Sequence, residues 1–297
     1  MPQVTVAISV FNGADELPRA VESALNQSFK DIEVVILDDG STDETWQVCE
    51  QLAQTDSRLR IYRQENAGRG SALRRLVDGA RGEWVALLDH DDWWEPEKLE
   101  RQLEHLKEPN VLVHTDGWFH YPGRVQDRRI VGAGRADILP HNRVIASSAV
   151  FRRSAMVDAG NFHQDLWAAC DWYGWLLLIG KGNIVHLPQQ LVHYEVREGS
   201  IANRGFRFQS GKRHMLKELL LPQWTQVSAP LEARTREALL KTIWWNIGVC
   251  ASTMAKYLDE QGRSKEAAPL HREALRLSPK VPRVWTRFLK HVLLRGK

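Results

Sequence analysis

Only three of the 297 residues are cysteine: Cys49, Cys170 and Cys250. They lie far apart, odd in number and without metal-type spacing. That excludes a disulfide scaffold and gives no cysteine-based metal module, and it fits a cytoplasmic protein with free thiols. Long apolar runs are also missing. No uncharged stretch approaches the roughly 18 residues that a membrane span needs. The longest candidates are 172–180 and 242–255, and the second carries Asn246, Ser252 and Thr253. No basic leader precedes the apolar run at Val4, so a secretory signal is not expected.

What is present reads as globular material with two biases. Hydrophobic residues make up 43% and charged residues 26%, which excludes wholesale disorder and allows a large core. The net charge of +3 conceals an asymmetry. Residues 1–211 hold 23 Lys and Arg against 30 Asp and Glu, whereas residues 212–297 hold 17 against 7. An acidic body with a basic tail argues against a nucleic-acid partner and points the tail towards something anionic. The 12 tryptophans are the second bias, because an exposed indole is a flat platform for sugars.

Short apolar runs alternate with helix-like stretches through the first half. Strands are predicted at Val4–Val10, Ile32–Asp38, Leu59–Arg63 and Trp84–Asp89, with helices at Ala14–Asn26, Glu44–Gln54 and Ser71–Ala80. This alternation calls for a parallel α/β sheet covered by helices, with ligands beyond the carboxyl ends of the strands. Those ends carry Asn12, Asp38-Asp39 and Asp89-His90-Asp91-Asp92. From Val111 to Val196 shorter strands are predicted (Val111–Thr115, Ala149–Arg152, Ile184–Leu187, Val192–Val196) around one helix at Asp171–Ile179. They read as the second half of a mixed sheet. After Gly205 the chain reads as helical, and 251–279 partly resembles one tetratricopeptide unit, best taken as a lone helical hairpin.

The acids at strand ends carry the chemistry. Carboxylates crowded at one strand terminus repel unless a cation or donor array neutralises them. An Asp-x-Asp pair can hold a hard divalent ion, and the ion a diphosphate. The plain alternative is an acidic turn, with Asp92 capping the helix that begins near Pro96. In Asp38-Asp39-Gly40-Ser41-Thr42-Asp43 the glycine permits a tight turn and Ser41 or Asp43 can cap a helix, which leaves the two acids unexplained by structure alone.

Four stretches together resemble glycosyltransferase family 2, with the GT-A fold: 6–12, 23–29 leading into 32–43, 80–84 leading into Leu88–Asp92, and 170–178 followed by 194–201. The resemblance spans about the first 200 residues in the right order. It implies a GT-A mixed sheet flanked by helices over residues 1–205, with a nucleotide-sugar half at 1–110, an acceptor half at 111–205 and a helical extension at 206–297.

The resemblance also implies roles. Ser9, Phe11, Asn12 and Asp39 would line the nucleotide, Asp39 facing the base edge. Asp89 would sit near the ribose, Asp91 with Asp89 would hold Mg²⁺ or Mn²⁺ on the diphosphate, and Asp171 would be the general base of an inverting transfer. Trp172 is the expected acceptor platform, Trp175 is expected in the core, and Trp93 and Trp94 read equally well either way. The donor implied is a nucleotide sugar, UDP-linked foremost, and the acceptor a glycan or lipid-linked sugar. No Gln-x-x-Arg-Trp motif is present, so single transfer is expected over processive synthesis.

Three positions depart from the family pattern. Cys170 stands where Glu usually precedes the base, Arg74 where Asn is usual, and Arg197 where the closing loop often has His. A guanidinium cannot ligate a metal, but Arg197 and Arg69 could each pair with the diphosphate. His193 is expected to face elsewhere, and His90 reads as a spacer or a nucleotide neighbour. Cys170 and Arg197 also keep open a rival reading: an inactive sugar-binding or scaffold member with a partner-binding helical tail. Residues 280–297 contain six Lys or Arg and no acid, with Trp285, Phe288, Leu289, Val292 and Leu293 at helical spacing. Such a stripe suits either an anionic membrane surface, with a peripheral location, or packing on the hairpin before it.

Overall fold

The computed structural model describes residues 1–128, 138, 141–196 and 205–295. The chain divides into two compact units, 1–197 and 198–297.

The N-terminal unit is built on a mixed sheet with the strand order β3-β2-β1-β4-β8-β6-β9-β5, and β7 pairs with β6. Its parallel half consists of β1 (Val4–Val10), β2 (Ile32–Asp38), β3 (Leu59–Arg63) and β4 (Trp84–Asp89). β1 and β2 are almost continuously buried, as strands covered on both faces must be. The connecting helices are α1 (Leu17–Leu25), α2 (Thr45–Ala53) and α3 (Arg69–Gly79). α1 buries Leu17, Ala20, Val21 and Ala24, the i, i+3, i+4, i+7 stripe of a helix lying on a sheet. Register aligns Val10 with Asp38 and Ser9 with Asp89. Asn12 and the acids that follow β2 and β4 therefore gather along one sheet edge.

The second half departs from the sequence pattern in two places. Trp93–Trp94 forms a short strand, β5, ahead of α4 (Lys98–Leu103). The stretches 184–187 and 192–196 belong to one long strand, β9 (Asn183–Glu195), parallel to β6 (Asn110–Tyr121). The register jumps from Thr115–Leu187 to Asp116–Gln190. Pro188 lies in the jump, where a residue without an N–H cannot join the ladder, so a bulge carries the strand past it. β7 (Arg124–Arg128), β8 (Val150–Arg152), α5 (Arg153–Asp158) and α6 (Cys170–Leu178) complete the unit.

The C-terminal unit is helical. α7 (Gly205–His214) and α8 (Trp224–Ser228) precede α9 (Ala233–Glu260), α10 (Ser264–Leu277) and α11 (Pro282–Arg295). Small side chains let α9, α10 and α11 approach closely: Ala251, Ala274 and Val284 form one cluster, and Ala255, Leu258 and Ala267 another. On α11 the expected single stripe splits. Val284 and His291 are buried, while Trp285 (45%), Leu289 (54%) and Val292 (49%) are exposed. The side chain of Leu293 lies outside the described residues. Among the described residues, no helix is long and apolar enough to cross a membrane.

Candidate active site

Three loops meet at the carboxyl edge of the parallel strands. After β1, Asn12 adopts a left-handed backbone (φ 52°). Its amide donates to Ser41 Oγ (2.9 Å), and its Oδ1 accepts from the Thr42 amide (2.9 Å). Asn12 is thereby a brace for the turn after β2. Phe11 is 45% exposed, and half-buried Ser9 lies beside it at the end of β1.

Asp39 is buried and accepts from Gln64 Nε2 (2.7 Å) and from the amides of Ala67 and Gly68 (both 2.9 Å). Both its oxygens are engaged with the β3–α3 loop, where the sequence reading had them facing the base edge. Gly40 (φ 74°) makes this loop contact possible, because a Cβ there would lie 2.5 Å from the Asn66 amide nitrogen.

The acids after β4 separate into two kinds. Asp89, 15% exposed at its side chain, pairs with Arg69 at 2.8 Å. Asp91 is half-buried, and its carbonyl accepts from Arg19 (2.9 Å), whose guanidinium lies over Trp93. Asp92 does not cap α4 as the plain reading had it. It is buried, bonded to Ser147 Oγ, and accepts from the Glu195 amide (3.0 Å). Burial, then the carboxylates of Asp91 and Asp89, push the Asp92 carboxyl well above the usual range. Asp92 fastens the acid run to β9, while Asp89 and Asp91 stand at the rim. His90 packs on Gly13, where a Cβ would come within 2.2 Å of its ring.

Asp171 lies in the first turn of α6, after Ala169 in a left-handed conformation. Its Oδ2 accepts from Asn142 Nδ2 (2.9 Å). Arg69 joins this acid to the strand-end acids. Burial alone would lower its pKa, but Asp89, Cys170 and Asp171 around it hold the guanidinium well above its ordinary value. Residues distant in sequence, on β4, α3 and α6, thus share one electrostatic cluster. Cys170 is buried in it, and desolvation pushes its thiol up to about 12. That makes it a neutral packing residue at neutral pH.

The tryptophans sort clearly. Trp172, expected as a sugar platform, is only 2% exposed, and its Nε1 donates to Ile138 O (2.6 Å), so it packs as interior. Trp175 is core, edge-on to Phe151 and Phe162. Trp94 is buried and donates to Ser147 O (2.7 Å). Trp93 stacks on His193, whose ring nitrogens meet Glu95 (2.8 Å) and His120 (2.9 Å). Arg74 donates to the carbonyls of Gly160 and Phe162. Arg197 lies outside the described residues.

Asn142, Ser147, Arg19 and Gly13 were not singled out from the sequence. A polar residue that braces a site through one hydrogen bond has no spacing signature. Only the glycine, next to a strand-end asparagine, offered a hint.

The arrangement presents hard oxygen donors at 89 and 91, and their field already raises a neighbouring carboxyl. Such a donor set is of the kind that suits a hard divalent ion, and Arg69 already engages one oxygen of Asp89.

Among solved structures, residues 1-349 of S. aureus TarS in complex with UDP-GlcNAc match with TM-score 0.66 at 16% identity, covering 100% of this chain and 93% of that chain. The mannosyltransferase PcManGT from Pyrobaculum calidifontis, in complex with GDP-Man and Mn²⁺, matches with TM-score 0.63 at 19% identity over 99% and 86%. Both likenesses concern the fold, which is GT-A. In sequence, the "Putative teichuronic acid biosynthesis glycosyltransferase TuaG" of Bacillus subtilis is 28% identical over 69% of this chain and 84% of its own length. The chondroitin synthase of Escherichia coli is 39% identical over 38% of this chain. The matched stretch spans only 16% of that synthase, and a third of the Bacillus subtilis protein EpsH. The sequence model of glycosyl transferase family 2 matches residues 5–155, the stretch that holds the strand-end acids. The chain belongs to glycosyl transferase family 2, a family of transferase enzymes.

Proposed function

We propose that the protein is an inverting, non-processive glycosyltransferase that moves a sugar from a nucleotide-diphosphate donor, UDP-linked foremost, to a hydroxyl of a glycan or lipid-linked acceptor. The observation that carries this reading is the convergence of Asp89, Arg69 and Asp171. A donor-side acid and an acceptor-side acid lie around one guanidinium, which is the proximity that a displacement between two bound sugars uses.

In this reading Phe11 stacks on the base, Ser9 faces the nucleotide, and Asp39 acts through the loop it holds. His90 and Asn12 border the same end of β1. Asp91, with Asp89, would hold the divalent cation, which when bound neutralises charge on the departing diphosphate. Asn142 fixes one oxygen of Asp171. Among the described residues the other has no hydrogen-bond partner, so it is the one that takes the acceptor's proton. The acceptor oxygen then bonds to the anomeric carbon as the bond to the diphosphate oxygen breaks, with inversion.

The exposed stripe of α11 gives the acceptor reading a second support. Trp285, Leu289 and Val292 lie outward, with exposed Arg283 and Lys290 near them and no acid from 280 onward. The four Lys and Arg of this helix, with no acid among them, oppose self-association through it and favour an anionic bilayer, where a lipid-linked acceptor resides.

A thermal-shift panel of UDP-, GDP- and dTDP-sugars, with and without Mn²⁺, tests the donor. A metal-dependent rise for one nucleotide is expected, and no rise for any would sink the reading. For the membrane contact, vesicles with and without anionic lipid are sedimented with the full chain and with a Trp285→Ser, Leu289→Ser variant. Equal binding by both proteins would refute it.

A further inference from the structure

A second cluster of ligand-type side chains lies within the C-terminal unit, and nothing in the transferase reading uses it. Asp259 near the end of α9, His271 on α10 and His291 on α11 converge on one point. His271 Nε2 lies 2.8 Å from Asp259 Oδ2, and His291 Nδ1 lies 2.7 Å from Asp259 Oδ1. The two rings are 4.5 Å apart, and one potential ligand atom from each of the three residues falls within 4.8 Å of the others. His271 is 0% exposed and His291 3%.

Hydrogen bonds alone leave this cluster incomplete. Asp259 carries a charge into a largely buried place, and its partners are two imidazoles and the Ser264 hydroxyl (3.1 Å). A carboxylate in such a place needs compensation. Arg287 does not bond to it, since its guanidinium is turned to the hydroxyls of Ser252 and Thr253. Two imidazoles this close cannot both carry a proton charge at low cost. His271 Nδ1 is also buried without a hydrogen-bond partner, so the network is only partly satisfied.

We propose that Asp259, His271 and His291 form a binding site for one divalent transition-metal ion of the zinc class, tying α9, α10 and α11 together. Two imidazole nitrogens and one carboxylate oxygen are a ligand set that Zn²⁺ accepts, with a solvent molecule as the fourth ligand. It differs in kind from the all-oxygen acids of the N-terminal unit, which suit Mg²⁺ or Mn²⁺. Ligation through Nε2 moves the His271 proton to Nδ1, which has no partner. The missing outer partner weakens the site by about 10- to 100-fold relative to a fully supported one.

The test uses the full chain carrying Asp91→Ala, so that the family's cation site does not contribute. Metal is stripped with chelator, zinc is returned at equimolar amount, and bound metal and melting temperature are measured. One zinc per chain and a raised melting temperature are expected. Cobalt should give a visible d–d absorption band. The discriminating variant is His271→Gln with His291→Asn, whose side-chain amides can still donate to Asp259 but lack the imidazole lone pair. It should melt near the metal-free parent, by circular dichroism, and bind no zinc. A parent that takes up no zinc would reduce the cluster to a hydrogen-bonded clasp and overturn the proposal. Zinc retained by the double variant would overturn it equally, by placing the metal elsewhere.

Discussion

The two units handle polar groups in opposite ways. The N-terminal unit leaves its chemistry at the carboxyl edge of a parallel sheet, where Asp89, Asp91 and Asp171 are only partly buried and the strands beneath them are almost wholly buried. The C-terminal unit packs small residues between helices and sets its Asp and His inside that packing. Groups at a strand end can change without disturbing the core. Bulk added between close-packed helices has nowhere to go. Substitutions should therefore dissociate, with loss of turnover at constant stability at the strand-end acids of the first unit and loss of stability where volume is added between the helices of the second.

The largest effect is expected from Asp91→Ala, which should abolish transfer and metal-dependent nucleotide binding while the melting temperature stays within a degree or so of the parent. A melting temperature several degrees lower would break the comparison, because the strand-end acid would then be part of the scaffold. Asp171→Asn comes next. It keeps the hydrogen bond from Asn142 within reach but cannot take the acceptor's proton, so turnover should fall by about a hundredfold or more with donor affinity retained. Equal losses in donor binding and turnover, read from calorimetry and steady-state rates, would assign Asp171 to structure.

The converse substitution is Gly248→Ala on α9. A Cβ there would meet Ser278 Oγ at 2.3 Å and Leu277 Cβ at 2.9 Å, displacing the hydroxyl that bonds Trp245 O at 2.7 Å. Overpacking of this kind costs about 1–3 kcal/mol, and chemical denaturation should read it as a lower midpoint. An unchanged midpoint would mean that the helices are less tightly set than their small residues imply.

The smallest effect sharpens the comparison inside the first unit. Lys98 is fully buried over the Trp94 ring, and desolvation holds its amine well below the ordinary lysine value. Between that depressed value and the ordinary one, the unfolded chain binds a proton that the folded chain does not. Stability therefore rises with pH across that window. Lys98→Met should raise the melting temperature at neutral pH, by about 2–4 °C for each kcal/mol recovered, and should flatten that slope. A variant less stable at pH 7 would show that the amine is charged and held by the indole.

How far the sequence was legible follows the same division. The four parallel strands run between the residues predicted for them, because a strand buried on both faces is a continuous apolar run with polar ends. Strand β9 was read as two pieces because Pro188 looks like a terminus, and only the neighbouring strand shows that pairing resumes beyond it. The strand-end acids could be found from their spacing, but the division of labour among them could not. Asp92 and Asp91 are adjacent and chemically identical, and Ser147 and the Glu195 amide decide which one is structural. Trp172 was misjudged for a related reason. An indole beside a candidate base looks like a sugar platform until a distant carbonyl, that of Ile138, is seen to take its N–H.

The contact between Gly13 and His90 has a consequence for how the family can vary. The two residues follow different strands, yet they compete for one volume, since a Cβ at 13 would stand 2.2 Å from the imidazole. Positions 13 and 90 should therefore evolve as a pair. In relatives that carry a side chain at 13, the residue between the two acids should be small, and a bulky residue between the acids should coincide with glycine after the asparagine. The spacer in the acidic motif is then constrained from outside that motif, by the volume that the first loop leaves to it.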